Sequence, residues 1–159
     1  MTRQKSAPKA SASVSDLIIR PHHTALSVED FETVRDFLTN VVGMHLENEM
    51  DHRDESALGT VVGLPGAVIR WALLELSGYR IELFKYYKPK GVLHPIRQCD
   101  IGLTHICFQV SDVSEVHRRL TAAGYESIST PQALRDGRSK PFYLIGPAGI
   151  VIEFLELSA

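Results

Sequence analysis

Hydrophobic positions along the chain fall into two runs of the same shape. The first is apolar and extended over residues 17–28, then passes into Phe31, Val34, Leu38 and Val41, whose spacing predicts a helix. Gly43 ends that helix. The second run is extended over residues 103–110 and passes into Val113, Val116 and Leu120, with Gly124 as its stop. Behind each helix the pattern becomes strand-like: 46–50, 68–76 and 80–86 in the first half, 126–129, 142–145 and 150–155 in the second. Turn residues such as Gly146, Pro147 and Gly149 separate these segments. The predicted order is βαβββ, twice. Residues 51–67, with Gly59, Gly63, Pro65 and Gly66, read as an irregular connection with room for a short helix. Asp30 and Asp112 stand at the head of the two helices, where a carboxylate accepts free backbone N–H groups.

The two halves also match residue by residue. His23-Thr-Ala-Leu26-Ser-Val28-Glu-Asp30 aligns with His105-Ile-Cys-Phe108-Gln-Val110-Ser-Asp112, and the same register pairs Val34 with Val116 and Leu38 with Leu120. Gly78-Tyr-Arg-Ile81-Glu82-Leu83 aligns in turn with Gly149-Ile-Val-Ile152-Glu153-Phe154. Of the seven histidines, only His23 and His105 occupy equivalent places, and each half closes on one equivalent glutamate inside an apolar strand. Ile81 and Leu83, like Ile152 and Phe154, share one strand face, so Glu82 and Glu153 point to the other. A carboxylate on a dry face persists when it is paired or binds metal. His23, Glu82, His105 and Glu153 together offer two imidazoles and two carboxylates, a set suited to Ni, Co, Zn, Mn or Fe(II) with water in the remaining positions. Strand alternation sends His22 to the face opposite His23, as a structural or exposed residue. His45, His52, His94 and His117 have no repeat partner of this kind, and His117, beside Arg118 and Arg119 on a helix, reads as solvated.

Composition narrows the partners. The chain has 159 residues, 44% of them hydrophobic, with 17 Lys+Arg against 19 Asp+Glu, the profile of an ordinary globular domain without the charge bias that nucleic acid or an anionic membrane would favour. No apolar run approaches the roughly 20 residues of a membrane helix. With no apolar signal segment at the N-terminus either, a cytoplasmic location is expected. Residues 1–15 carry Arg3, Lys5 and Lys9 and no acid, and read as a disordered tail ahead of a single domain over 16–159. Cys99 and Cys107 form no metal-type pair and are expected as reduced thiols packed in the core or a strand.

With these motifs the chain resembles the vicinal oxygen chelate superfamily, which includes glyoxalase I, methylmalonyl-CoA epimerase, extradiol dioxygenases and fosfomycin or bleomycin resistance proteins. The resemblance spans about residues 18–157 and rests on His23 to Asp30, Phe37-Leu-Thr-Asn-Val-Val-Gly43, Ile81-Glu82-Leu83, Thr104-His105-Ile106-Cys-Phe108 and Gly146-Pro-Ala-Gly149-Ile-Val-Ile-Glu153. It implies an α+β fold of two βαβββ modules, about 18–90 and 100–157, forming an open, mostly antiparallel cup around one divalent metal. It names the same four ligands as the repeat: His23, Glu82, His105 and Glu153. It also implies a homodimer and a lyase or isomerase that abstracts a proton next to the carbonyl of a small-molecule substrate or thioester. Glu153 is then the catalytic base and Glu82 the second candidate. An extradiol-type ring-cleaving dioxygenase and a non-catalytic resistance or small-molecule-binding protein are the alternatives. The second base of typical methylmalonyl-CoA epimerases has no match, since the stretch before Trp71 reads Gly63-Leu-Pro-Gly-Ala-Val-Ile-Arg70. Arg70, Lys85, Lys88, Arg97, Arg135, Arg138 and Lys140 are candidates to hold an anionic substrate tail, with solvated surface charge as the default. Trp71, Tyr86, Tyr87 and Phe142 are candidates to line an apolar pocket, with core packing as the default.

Overall fold

Strand alternation sets the two faces of each sheet. In the computed structural model, which describes residues 13–95 and 97–158, the first module runs β1 (Thr24–Ser27), α1 (Phe31–Asp36), β2 (His45–Arg53), α2 (Ser56–Val61), β3 (Val68–Leu76) and β4 (Tyr79–Lys88). The second runs β5 (Ile106–Gln109), α3 (Val113–Ala122), β6 (Glu126–Ser127), β7 (Ser139–Ile145) and β8 (Val151–Leu157). Each module folds into an open four-stranded mixed sheet, in the order β1-β4-β3-β2 and β5-β8-β7-β6. β1 lies parallel to β4 and β5 to β8, while the other pairings are antiparallel. The expected α+β duplication is therefore present, with α2 as the short helix in the first connection.

Ile81 and Leu83 of β4 and Ile152 and Phe154 of β8 turn inward, beneath Phe31, Val34 and Leu38 of the first helical segment and Val113 and Leu120 of α3. These residues belong to one core that crosses the module boundary. Tyr79 meets Phe108 edge to face at 6.1 Å between ring centroids, and Phe37 meets Tyr125 at 5.1 Å. The modules thus share their helix-covered faces, and the opposite face of each sheet is left for Glu82 and Glu153. Among the described residues no helix is long and apolar enough to cross a membrane.

The caps behave as the sequence predicts. Asp30 Oδ1 accepts from the Thr33 N–H at 3.2 Å and Asp112 Oδ1 from the Glu115 N–H at 2.9 Å. Arg70 of β3 fastens α1 to the sheet. Its guanidinium lies 4.5 Å from the Phe31 ring centroid, donates to Glu49 Oε1 at 2.6 and 2.9 Å, and also pairs with Glu32.

Several boundaries differ from the periodicity. Residues 17–19 form no strand; Leu17, Ile18 and Ile19 are exposed, because β4 begins at Tyr79, just before the Ile81 that pairs with Thr24, and leaves earlier residues no strand to bond. The second extended run is shortened likewise: β8 begins at Val151, Ile106 pairs with Ile152, and Leu103 is exposed. The first helix is α-helical only to Asp36 and continues as a π-helical turn over Phe37–Val41, where Thr39 Oγ1 bonds back to the Arg35 carbonyl at 3.0 Å. Val41, the last residue of that turn, is exposed. Both cysteines are exposed rather than packed in the core, and Cys107 lies on the outer face of β5. His117 is half-buried rather than solvated, edge-on to Phe142 at 5.0 Å, with Nε2 3.1 Å from Ser127 Oγ. The expected tail falls largely on residues 1–12, outside the described residues.

Candidate metal centre

Glu82 stands on the outer face of the first sheet between two neighbours, Ala25 of β1 and Leu73 of β3. His23 immediately precedes β1, so its ring arrives at the same edge, with Nε2 2.9 Å from Glu82 Oε2. The other oxygen, Oε1, accepts from the indole N–H of Trp71 at 2.6 Å. His23 Nδ1 lies 2.9 Å from His22 Nδ1, so one of these nitrogens carries the shared proton.

The second sheet repeats the arrangement. Glu153 lies between Cys107 of β5 and Tyr143 of β7. His105 immediately precedes β5, and its Nε2 is 3.4 Å from Glu153 Oε2. Its Nδ1 is 3.0 Å from Gln98 Oε1 and 3.1 Å from Thr104 Oγ1, and its ring meets Tyr143 edge-on at 5.1 Å. Burial, reinforced by the Glu153 carboxylate, pushes the Cys107 thiol up to about 12. The Tyr143 hydroxyl is raised by burial and then by the same charge. Each glutamate faces a histidine, and no Lys or Arg side chain pairs with either one in the ion pairs of the described residues.

The donor geometry fits a divalent cation. Ligand bonds to such an ion are about 2.0–2.2 Å, which sets neighbouring donors about 3 Å apart. The two His–Glu separations, 2.9 and 3.4 Å, bracket that distance. The four residues nonetheless come together as two pairs: among the described residues no group of three or more His, Cys, Asp or Glu side chains is placed to hold one ion. Each module contributes one His–Glu pair.

Other sequence candidates lie elsewhere. Arg70 is committed to Glu49 and Glu32, Arg97 pairs with Asp100, and Lys140 Nζ donates to Ser114 Oγ. Phe142 is core, and the Tyr87 hydroxyl donates to Asp51. His45 and His94 are exposed, and His52 stacks on Tyr87 at 4.5 Å. Sequence reasoning missed Gln98 and Thr104 as partners of His105 and the indole donor to Glu82. Thr104 was detectable as a neighbour; the other two contacts depend on a linker turn and on cross-strand register.

These features place the chain in a known group. It belongs to the Glyoxalase/Bleomycin resistance protein/Dioxygenase superfamily, whose family model matches residues 20–154. It is 28% identical over 145 residues to a 2-epi-5-epi-valiolone epimerase from Actinomyces sp., covering 87% of this chain and 79% of that one. It is 24% identical over 131 residues to an ethylmalonyl-CoA/methylmalonyl-CoA epimerase from Cereibacter sphaeroides, covering 82% of this chain and 90% of that one. A glyoxalase family protein from Bacillus cereus superposes with a TM-score of 0.81 at 22% identity, covering 93% of this chain and all of that one. The fosfomycin resistance protein FosX from Listeria monocytogenes, in a complex with Mn(II) and sulfate, superposes at 0.61 and 17% identity, covering 89% of this chain and 94% of that one.

Proposed function

We propose that the protein is a divalent-metal-dependent isomerase of the epimerase or glyoxalase type, acting on a small molecule with an acidic C–H next to a carbonyl. The observation that carries this reading is the duplicated pair, His23 with Glu82 and His105 with Glu153, each held on the open face of its sheet. His23, Glu82, His105 and Glu153 would hold a divalent ion, which would supply Lewis-acid stabilisation to a substrate carbonyl oxygen. Glu153 takes the proton from the neighbouring carbon and returns it. The hydrogen bonds to Nδ1 keep the His105 ring facing Glu153, and the Tyr143 ring packs edge-on against that imidazole. The two epimerases among the relatives support this chemistry over ring cleavage.

Two copies of the chain complete the centre in this reading. β1 and β5, the strands that the ligand histidines lead into, are both sheet edges, and their outer faces are exposed. Edge strands invite pairing with another chain, and a two-fold dimer would bring the first pair of one copy against the second pair of the other.

Solvent deuterium exchange tests the proposal. Hemithioacetals of 2-oxoaldehydes, acyl-CoA thioesters and a polyhydroxylated cyclic ketone are offered with Ni, Co, Mn, Zn or Fe(II), and oxygen uptake is followed with catechols. Metal-dependent exchange that disappears in Glu153→Gln is expected, because the amide keeps the shape but cannot take the proton. Oxygen uptake with a catechol and no exchange on any carbonyl would contradict it.

A further inference from the structure

We propose that Trp71 is a positioning residue that makes the two carboxylates of the centre unequal, holding Glu82 as a fixed ligand and leaving Glu153 as the one free to carry a proton. The inference rests on the metal-centre reading above and adds a division of labour within it. Trp71 lies on β3 opposite Phe84 of β4, while Leu73 stands opposite Glu82, so the indole reaches Glu82 diagonally along the same outer face. Its N–H donates to Oε1 at 2.6 Å while Oε2 faces His23 at 2.9 Å. Both oxygens are engaged, by groups on either side of β4, and turning the carboxylate would break both contacts. An indole has a single donor and no acceptor, so no alternative contact through the same ring compensates for the lost bond.

The second module lacks the counterpart. Tyr143 stands opposite Glu153, and the place corresponding to Trp71 is filled by Pro141, opposite Leu155. A proline ring donates nothing. Glu153 faces His105 at the longer distance of 3.4 Å, and the thiol beside it, Cys107, is a weak donor. A repeat that duplicates His and Glu has therefore kept the two carboxylates alike in identity and made them different in restraint. The tightly held one suits a permanent ligand and the looser one a group that must approach and leave a substrate C–H.

The chain's single tryptophan gives a direct readout. In a 1H–15N spectrum of the metal-free protein, the one indole N–H resonance is expected downfield of its free position, returning towards it in Glu82→Ala and staying in place in Glu153→Ala. Titration with Mn, Co, Ni and Zn then measures the consequence: Trp71→Phe is expected to bind about 10- to 100-fold more weakly than wild type, and Glu82→Gln to lose about tenfold more affinity than Glu153→Gln. An indole resonance indifferent to Glu82→Ala, or a Trp71→Phe protein that binds metal like wild type, overturns the positioning role. A wild-type protein that binds none of the four ions overturns the metal reading instead, and the proposal falls with it. Should Trp71→Phe fail to fold, the indole comparison and the two glutamine variants still decide.

Discussion

The Nε2 of His105 stands 3.4 Å from Oε2 of Glu153, and the residues behind the ring determine what that nitrogen presents. Gln98 donates its side-chain amide to the Thr104 carbonyl at 3.2 Å, which orients its own oxygen towards His105 Nδ1 at 3.0 Å. With Gln98 Oε1 as its acceptor, Nδ1 is a protonated nitrogen, and Nε2 is the nitrogen presented to the carboxylate. A proton on Nε2 or a metal ion between the two groups satisfies both of them. At His23 the corresponding nitrogen meets another imidazole, so the tautomer there is shared with His22.

Gln98→Leu removes the acceptor that fixes the ring. Metal affinity is expected to fall about tenfold, as for other outer-shell partners of ligand histidines, while the melting temperature stays near that of wild type. Calorimetric titration beside a thermal melt checks this, and unchanged affinity would show that Gln98 does not orient His105.

The helix caps predict a stability effect away from the centre. Asp112→Ala should cost about 1 kcal/mol in urea unfolding, because the Glu115 N–H loses its acceptor. Thr33, through its side chain and then its backbone N–H, holds the Asp30 carboxyl below its usual value. Asp30 therefore stabilises the fold above the ordinary carboxylate range, and that contribution disappears as pH falls through its depressed folded pKa. Asp30→Asn should flatten this part of the acid-unfolding curve; an unaltered curve would contradict the assignment.

Arg70→Met should destabilise the protein by roughly 1–3 kcal/mol, since Glu32 loses a partner and Glu49 keeps only Arg35, at 3.2 Å. The loss is read in denaturant unfolding. Retained metal binding in the same variant would confirm that Arg70 acts as a structural tie between α1 and the sheet; loss of metal without loss of stability would place it in the site.

Much of this architecture was legible in the sequence because alternation and duplication are local properties. The βαβββ order, both caps and the outward direction of Glu82 and Glu153 follow from periods of two and of three to four residues. Strand ends were not legible: Ile18 and Leu103 have strand-like character, but only the starts of β4 and β8 decide whether a neighbour is present. The Trp71–Glu82 contact depends on the register between β3 and β4, which no single strand encodes. Repeat matching singled out four candidate residues, yet their division into two pairs depends on how the modules pack, a property of the shared core around Tyr79, Phe108, Phe37 and Tyr125.

A centre shared between copies makes a prediction that a single-chain centre does not. Mixing His23→Ala chains with His105→Ala chains, after unfolding and refolding together, should restore metal binding. One of the two centres in each mixed dimer then has both intact pairs. A centre built within one chain would gain nothing from mixing, because every chain carries one broken pair.

Metal content tests the central claim most directly. Wild type and the variants His23→Ala, Glu82→Ala, His105→Ala and Glu153→Ala are loaded with the same ion, dialysed and measured by mass spectrometry beside far-ultraviolet spectra that verify folding. If residues of both modules hold the same ion, wild type should retain one ion per chain and each folded variant clearly less. Equal metal content in all five proteins, or loss confined to the variants of one module, would contradict a four-residue centre built from His23, Glu82, His105 and Glu153.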